Sequence, residues 1–336
     1  MIQILIKSFN RAYYLDRCLQ SIQKFVKGDY EIIVLDDGTP EKYLNKIRKK
    51  YPEVEIQLSS QYSRKIKAIQ ENLETGKEIN GFQIPTNLWY NAVKNASDYV
   101  LVTEDDVWFT EEINLSELAN EMQENTIHLV KIGRMKSNVS ADVQSITSTI
   151  YLSTPKNLWT APPFLMDWFM FNKFKFFSIL YRLKLVDNQT KREYWQLNSI
   201  LMGFWRKDYW LYVWKDIGEK VDEEMQLKNA VLWYRKNKRN QNLIGTTKTN
   251  HLKTTFQSSA TNSYHQYGFN FDVNYFNYLM NEAWLKDELD SFQNFPKDFS
   301  LSYFEQFLDE KVDKKAFHSW VEKFKEQYRK TGAEVD

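Results

Sequence analysis

Residues 98–109 read DYVLVTEDDVWF, a run of β-favouring residues that stops at Glu104, Asp105 and Asp106. An apolar run without polar alternation reads as a strand buried on both faces. Three adjacent acids at its end repel one another, so either they form a solvated turn or a positive group belongs there. Two earlier stretches are built the same way. IQILIKSF, from Ile2, runs into Ser8, Phe9, Asn10 and Arg11, and YEIIVLDDGTP, from Tyr30, runs into Asp36 and Asp37. VEIQL, from Val54, is a further short strand.

Helical patterns separate these runs. NRAYYLDRCLQSIQKF places Tyr14, Cys18, Ile22 and Phe25 on one stripe, and PEKYLNKIRKKY and PTNLWYNAVKNA follow. Strands alternating with helices predict right-handed βαβ units, hence an α/β fold with a mostly parallel sheet flanked by helices. Ligands of such sheets bind outside the carboxyl ends of the strands. All three polar clusters fall at such ends.

Farther along, LSELANEMQE is predicted helical, IHLVKIG a strand, SILMGFWR a strand, DYWLYVWKDI and VDEEMQLKNAVLWYRKNK helices, and NLIGTT a last strand. A Ser/Thr/Asn-rich stretch, KSNVSADVQSITSTIYLSTP, precedes an aromatic insertion near 159–184. From residue 256 the chain is polar and aromatic, then helical. The expected organisation is a catalytic unit at 1–255, with a nucleotide-binding half at 1–110 and an acceptor half at 111–255, followed by a helical extension at 256–336.

Composition narrows the function classes. With 336 residues, 43% hydrophobic and 16% aromatic, the chain can bury a sizeable core. Lys and Arg total 45 against 44 Asp and Glu, so no global basic field suggests a nucleic-acid partner. The single cysteine, Cys18, excludes an intrachain disulfide and reads as a core thiol. The apolar start MIQILI is short, lacks a basic leader and reads as a strand, so a reducing, cytoplasmic setting is expected.

Chemistry enters at the acids. Glu104 and Asp106 are two apart, so at an extended strand end both carboxylates point to one side. Paired hard oxygens suit Mg²⁺ or Mn²⁺, with water and substrate phosphates completing the shell. Asp36 or Asp37 could accept from a base N–H or a ribose hydroxyl, although Asp-Gly is also a plain turn signal. Asn10 could equally be the cap of the first helix.

Together the motifs resemble family 2 glycosyltransferases of the GT-A fold. SFNRAYYLDRCLQSI is similar to the family's opening, YEIIVLDDGT to its second strand with nucleotide-contacting acids, and NASDYVLVTEDDV to the strand leading to its D-x-D metal motif. The resemblance covers about the first 110 residues and implies a divalent metal held by Asp106 and Glu104. It also implies a nucleotide site formed by Ser8, Phe9, Asn10, Arg11, Asp36, Asp37, Glu104 and Asp105. More loosely, MGFWRKDYWLYVWKDIGEKVDEEMQLKNA is similar to the family's strand–helix–acidic-helix segment, which makes Asp222, Glu223 and Glu224 the candidates for a general base. Carboxylates in a first helical turn are also favoured by the helix dipole. His251, with His265 in reserve, is the histidine the resemblance implies at the metal or diphosphate.

One departure stands out. The family's Gly-rich, Arg-Asn-bearing segment is replaced by GFQIPTNLWYNAVKNA, with Trp89 and Tyr90, although Gly81, Asn91 and Ala96 fit roughly. The implied reaction is metal-dependent, inverting transfer of a sugar from a UDP- or GDP-sugar donor to a hydroxyl of a glycan or lipid-linked acceptor, as in bacterial surface polysaccharide synthesis. The rival readings are a sugar nucleotidyltransferase, which lacks its glycine loop here, and a non-catalytic nucleotide- or carbohydrate-binding module. The insertion near 159–184 reads as a packed helical segment, as an interfacial helix touching a lipid-linked acceptor or in peripheral contact with the inner face of a membrane, or as an oligomer contact.

Overall fold

The computed structural model describes residues 1–79, 82–133, 144–199, 202–216, 218, 221–259, 267–330 and 335. Gly81 and His265 lie outside the described residues. The chain opens with β1 (Ile2–Ser8), α1 (Ala12–Phe25), β2 (Val26–Lys27), β3 (Tyr30–Asp36), α2 (Glu41–Lys50), β4 (Glu55–Leu58), α3 (Tyr62–Thr75), α4 (Thr86–Asn95) and β5 (Tyr99–Glu104). Then come β6 (Val107–Phe109), β7 (Ile113–Asn114), α5 (Leu115–Glu124), β8 (Leu129–Lys131), β9 (Ile150–Leu152), α6 (Pro163–Met170), α7 (Phe176–Arg182) and α8 (Thr190–Glu193). The remainder is β10 (Gly203–Arg206), α9 (Lys207–Val213), α10 (Glu223–Lys236), β11 (Ile244–Thr247), β12 (Leu252–Thr254), α11 (Val273–Leu285), α12 (Leu301–Phe304) and α13 (Lys314–Lys330).

Eight strands form one sheet in the order β4-β3-β1-β5-β10-β8-β11-β9. The sheet is mixed and mostly parallel, as expected, with β10 and β9 running against their neighbours. Because β1, β3 and β5 are parallel, with Ser8 opposite Asp36 and Lys7 opposite Glu104, the three polar clusters stand side by side at one edge. The reversed β10 enters the sheet at that same edge, which brings Met202 and Gly203 to it.

Two hydrophobic cores follow from the period-2 alternation of β1. Ile4 and Ile6 face Tyr13, Tyr14 and Cys18 of α1, while Leu5 faces the side built from α4, α6, α9 and α10. Helices on both faces explain why the parallel strands read as uninterrupted apolar runs. The first core also contains Phe276 of α11, Phe304 of α12 and Phe317 and Trp320 of α13, so the C-terminal helical region packs on α1. Cys18 is fully buried there, as its place on the apolar stripe predicts.

Two strands carry no clear signal in sequence. Ile150–Leu152 is embedded in polar residues yet pairs with β11 at the sheet margin, and Val107–Phe109 pairs antiparallel with Leu252–Thr254.

Candidate active site

The acid triplet is answered from within. Arg11, set at the start of α1, inserts its guanidinium between Asp105 and Asp106, with Nη1 donating to Asp106 Oδ2 at 2.8 Å and Nη2 to Asp105 Oδ1. Burial works against a charge on Arg11, but Asp105 and Asp106 outweigh it and hold the guanidinium above its ordinary value. Asp105 is fully enclosed and also accepts from Phe9 N at 3.1 Å, so it ties the β1–α1 loop to β5. Glu104 has a different partner, Lys7. Its carboxylate is raised by burial, and Lys7 Nζ, at 3.4 Å, opposes that shift. Lys7 in turn lies 4.6 Å from the Trp89 ring and 5.4 Å from the Trp214 ring.

Lys7, Glu104 and these indoles line a cavity of about 280 Å³. Its remaining wall includes Trp195, Trp205, Trp210, Met202, Gly203 and Glu223. Trp210 and Trp214 stack at 5.0 Å within that wall. Gly203 is forced by close approach, since a Cβ there would meet Trp205 Nε1 at 2.4 Å. The cavity therefore joins the first half of the chain, through Lys7, Trp89 and Glu104, to the second, through Trp214 and Glu223.

The fold separates the three acids at the start of α10. Asp222 caps the helix, accepting from Met225 N at 2.9 Å. Glu224 is paired with Lys191 Nζ at 2.9 Å. Glu223 is the one that faces the cavity.

The DDGT loop is also divided. Asp36 is buried and accepts from Gly38 N at 3.0 Å and from Thr39 N at 2.8 Å and its hydroxyl at 2.6 Å. Burial pushes it up to about 6, against those hydrogen bonds. It holds the loop, with no oxygen turned to a ligand. Asp37 pairs with Lys65 through Oδ2, and burial raises its carboxyl against Lys65 and the Ser59 hydroxyl. Phe9 lies against Gly38, where a Cβ would meet the ring at 2.7 Å, and meets Phe82 edge-on at 5.9 Å. Phe9, Phe82, Asp37 and Lys65 thus cluster beside the acid triplet.

Asn10 is not the cap of α1. It takes a left-handed φ of 52°, and its amide donates to Asn274 Oδ1 of α11 at 2.8 Å, while Arg11 occupies the cap position. It joins the loop to the C-terminal region. His251 is likewise not brought to the acids. The β6–β12 ladder runs antiparallel, so Thr254 and Thr255 bond the carbonyl of Asp106, while His251 lies beyond Phe109 with its ring beside Glu111 O. No group of three or more His, Cys, Asp and Glu suited to a metal occurs among the described residues. What remains for a metal is Asp106 Oδ1, a buried carboxylate oxygen with no hydrogen-bond partner there. One carboxylate oxygen beside a diphosphate fits the way Mg²⁺ and Mn²⁺ are commonly held at nucleotide sites.

Other unpartnered buried atoms among the described residues include Arg11 Nε and Trp89 Nε1, at this same edge. Buried polar atoms usually find partners, so these leave hydrogen-bonding capacity at this edge. The residues that sequence reasoning missed are Lys7 and the tryptophans. Lys7 sits one position before the motif, and its role shows only through the register that sets it opposite Glu104.

A family model described as glycosyl transferase family 2 matches residues 3–78, which hold β1, α1, β3 and the DDGT loop. A search of curated proteins returns no match. Among solved structures, residues 1–349 of S. aureus TarS align at 15% identity over 93% of this chain and 71% of that one, with a TM-score of 0.42. The same TarS fragment in complex with UDP-GlcNAc aligns at 13% identity over 93% and 72%, with a TM-score of 0.41. Glucosyl-3-phosphoglycerate synthase from Mycobacterium tuberculosis, in complex with Mn²⁺, UDP-glucose and phosphoglyceric acid, aligns at 17% identity over 39% and 42%, with a TM-score of 0.26. At these scores the structural similarities carry no weight for individual residues. The family 2-like segment read from the sequence is borne out over residues 3–78.

Proposed function

From a family 2-like glycosyltransferase as premise, we propose that this chain transfers a sugar from a nucleoside-diphosphate donor to an acceptor hydroxyl, with inversion at the anomeric carbon. The observation that carries the reading is the shared cavity. Glu104 at the end of β5 and Glu223 at the start of α10 line one space between tryptophan faces, beside the Arg11–Asp106 cluster.

The nucleotide belongs beside Phe9, Phe82 and Asp37, where apolar rings adjoin a carboxylate. The diphosphate then lies over Asp106 and Arg11. Asp106 Oδ1 would hold a divalent cation, which when bound supplies positive charge to the departing diphosphate. Arg11 adds a guanidinium at the same place, and Lys7 keeps Glu104 partly neutralised. Glu223 acts as general base. It takes the acceptor hydroxyl proton as that oxygen forms a bond to the anomeric carbon, and the carbon–oxygen bond to the diphosphate breaks with its electron pair leaving on the nucleotide. The stacked Trp210–Trp214 pair offers an apolar face against which a pyranose ring can lie.

Glu223→Gln should lower kcat by about 10²–10⁴-fold, the range a general base contributes. Glu224→Gln and Asp222→Asn should leave kcat within a few-fold, since those carboxylates serve Lys191 and the helix end. Equal loss in all three variants would place the base elsewhere. Calorimetry with UDP and GDP, with and without Mn²⁺, tests the nucleotide and metal assignments. Asp106→Asn should weaken the Mn²⁺-dependent part of binding. Nucleotide binding without turnover of any nucleotide sugar would favour a non-catalytic binding module.

A further inference from the structure

Helices α6 and α7 present an apolar surface unlike the rest of the molecule. Among the described residues eight large hydrophobic side chains are exposed, and six of them lie here: Phe164, Phe174, Ile179, Tyr181, Leu183 and Leu185. Phe174 is 77% exposed at the tip between the helices. It is continuous with its neighbours, because Trp168 packs against both Phe164, at 5.8 Å, and Phe174, at 5.1 Å. Ile179 and Leu183 are four residues apart and share one side of α7 and its end.

The tip is also strained. Asn172, Phe174 and Lys175 hold left-handed φ values of 48°, 54° and 57°. For a bulky side chain such a conformation is unfavourable and persists where the surroundings impose it. Here the inner side is fixed, with Met166, Phe169, Met170 and Leu180 buried, while Phe174 is turned outward.

Charge decides what the surface meets. Between Pro163 and Val186 the cations are Lys173, Lys175, Arg182 and Lys184, and the only acid is Asp167. Asp167 is already bonded by Lys173 and Lys228. An apolar tip ringed by cations matches the boundary between acyl chains and anionic headgroups. No helix among the described residues is long and apolar enough to cross a membrane. We propose that the α6–α7 hairpin docks on the surface of an anionic lipid bilayer, inserting Phe174 and the Ile179–Leu183 side among the headgroups.

The surface is coupled to the site. Lys191 bonds both Met170 O, at the end of α6, and Glu224, next to Glu223. Docking would therefore hold α10 and the cavity near a lipid-borne acceptor, a consequence that rests on the reading above, whereas the docking itself does not.

Co-sedimentation with vesicles of phosphatidylcholine, with and without phosphatidylglycerol, tests it on the full chain. Binding is expected to the phosphatidylglycerol vesicles and to fall as salt rises. The double variant Phe174→Ser, Leu183→Ser, whose altered side chains are exposed, should lose about tenfold or more of that affinity while keeping the wild-type thermal midpoint. Lys175→Glu with Lys184→Glu should lose it too, by a similar order. Wild-type protein remaining in the supernatant with anionic vesicles would overturn the proposal. So would a dimer in sedimentation velocity that the double serine variant dissociates, if vesicles capture neither form.

Discussion

At the residue scale, His128 carries a pH dependence of its own. Its ring is buried and accepts from Trp233 Nε1 at 2.8 Å, and burial, with Arg206 adding to it, pulls the imidazole down to about 4. The unfolded chain takes up this proton near pH 6.5, and the folded chain does so only near pH 4. Above the unfolded value both states are neutral and nothing is lost. As pH falls from about 6.5 towards 4, the unfolded state alone gains the proton and stability declines. By pH 5 the loss from this one group is about 2 kcal/mol. Denaturant titrations of wild type and His128→Gln at pH 7.5 and pH 5 should show a shallower decline in the variant. An unchanged slope would mean that burial and Arg206 do not hold the ring neutral. The same scale shows what sequence can reveal about the site. The acids of TEDD and DDGT announce themselves as charge placed after apolar runs. Which oxygen is free does not, because Asp36 and Asp37 are adjacent yet one is spent on Thr39 and the other faces Lys65.

At the element scale, α1 does more than cover the sheet. Asp16 and Arg17 look like ordinary charges on a helical surface, yet both are buried. Asp16 accepts from Trp284 Nε1 at 2.8 Å and from the Tyr51 hydroxyl. Arg17 donates to the carbonyls of Ser291 and Gln293, each at 3.0 Å, and its guanidinium lies 4.4 Å from the Trp108 ring and 4.7 Å from the Phe299 ring. The contacts with Trp284, Ser291, Gln293 and Phe299 join residues more than two hundred positions apart, and no local pattern in RAYYLDRCL foretells them. The helix itself was legible because its stripe of Tyr14, Cys18, Ile22 and Phe25 is local. Arg17→Met should cost about 3 kcal/mol or more, since it leaves several buried carbonyls unpaired while keeping much of the apolar stem. The denaturation midpoint should fall with the slope unchanged. A neutral result would mean that water replaces the guanidinium at those carbonyls.

At the scale of the molecule, the question is whether the C-terminal helices are an appendage or part of the fold. The core that begins with Ile4, Ile6 and Tyr13 continues through Phe276 and Phe304 into Phe317 and Trp320. Phe317 packs against Phe276 at 4.9 Å and Phe271 at 5.4 Å. Farther along α13, Tyr328 lies against Phe256 at 4.8 Å, next to Thr255, whose amide donates to the carbonyl of Asp106. Burial raises the Tyr328 phenol, and the charges of Asp106 and Glu104 add to that, so α13 ends near the acid triplet. The helical character of this region could be read from its sequence, but not where it packs, since its apolar stripe fits any apolar face. With one core shared, unfolding followed by tryptophan fluorescence and by far-UV circular dichroism should give coincident transitions, the mark of a single cooperative unit. Phe317→Ala should destabilise the protein by about 3–5 kcal/mol, shifting both signals together. Residues 1–255 expressed alone would leave Tyr13, Tyr14 and Trp108 without their C-terminal covering, and should show weak near-UV dichroism with rapid amide exchange in α1. If that fragment instead folded with native exchange protection and kept transferase activity, α11–α13 would be an independent addition, and the contacts of Asn10, Asp16 and Arg17 would contribute little to holding the active site in place.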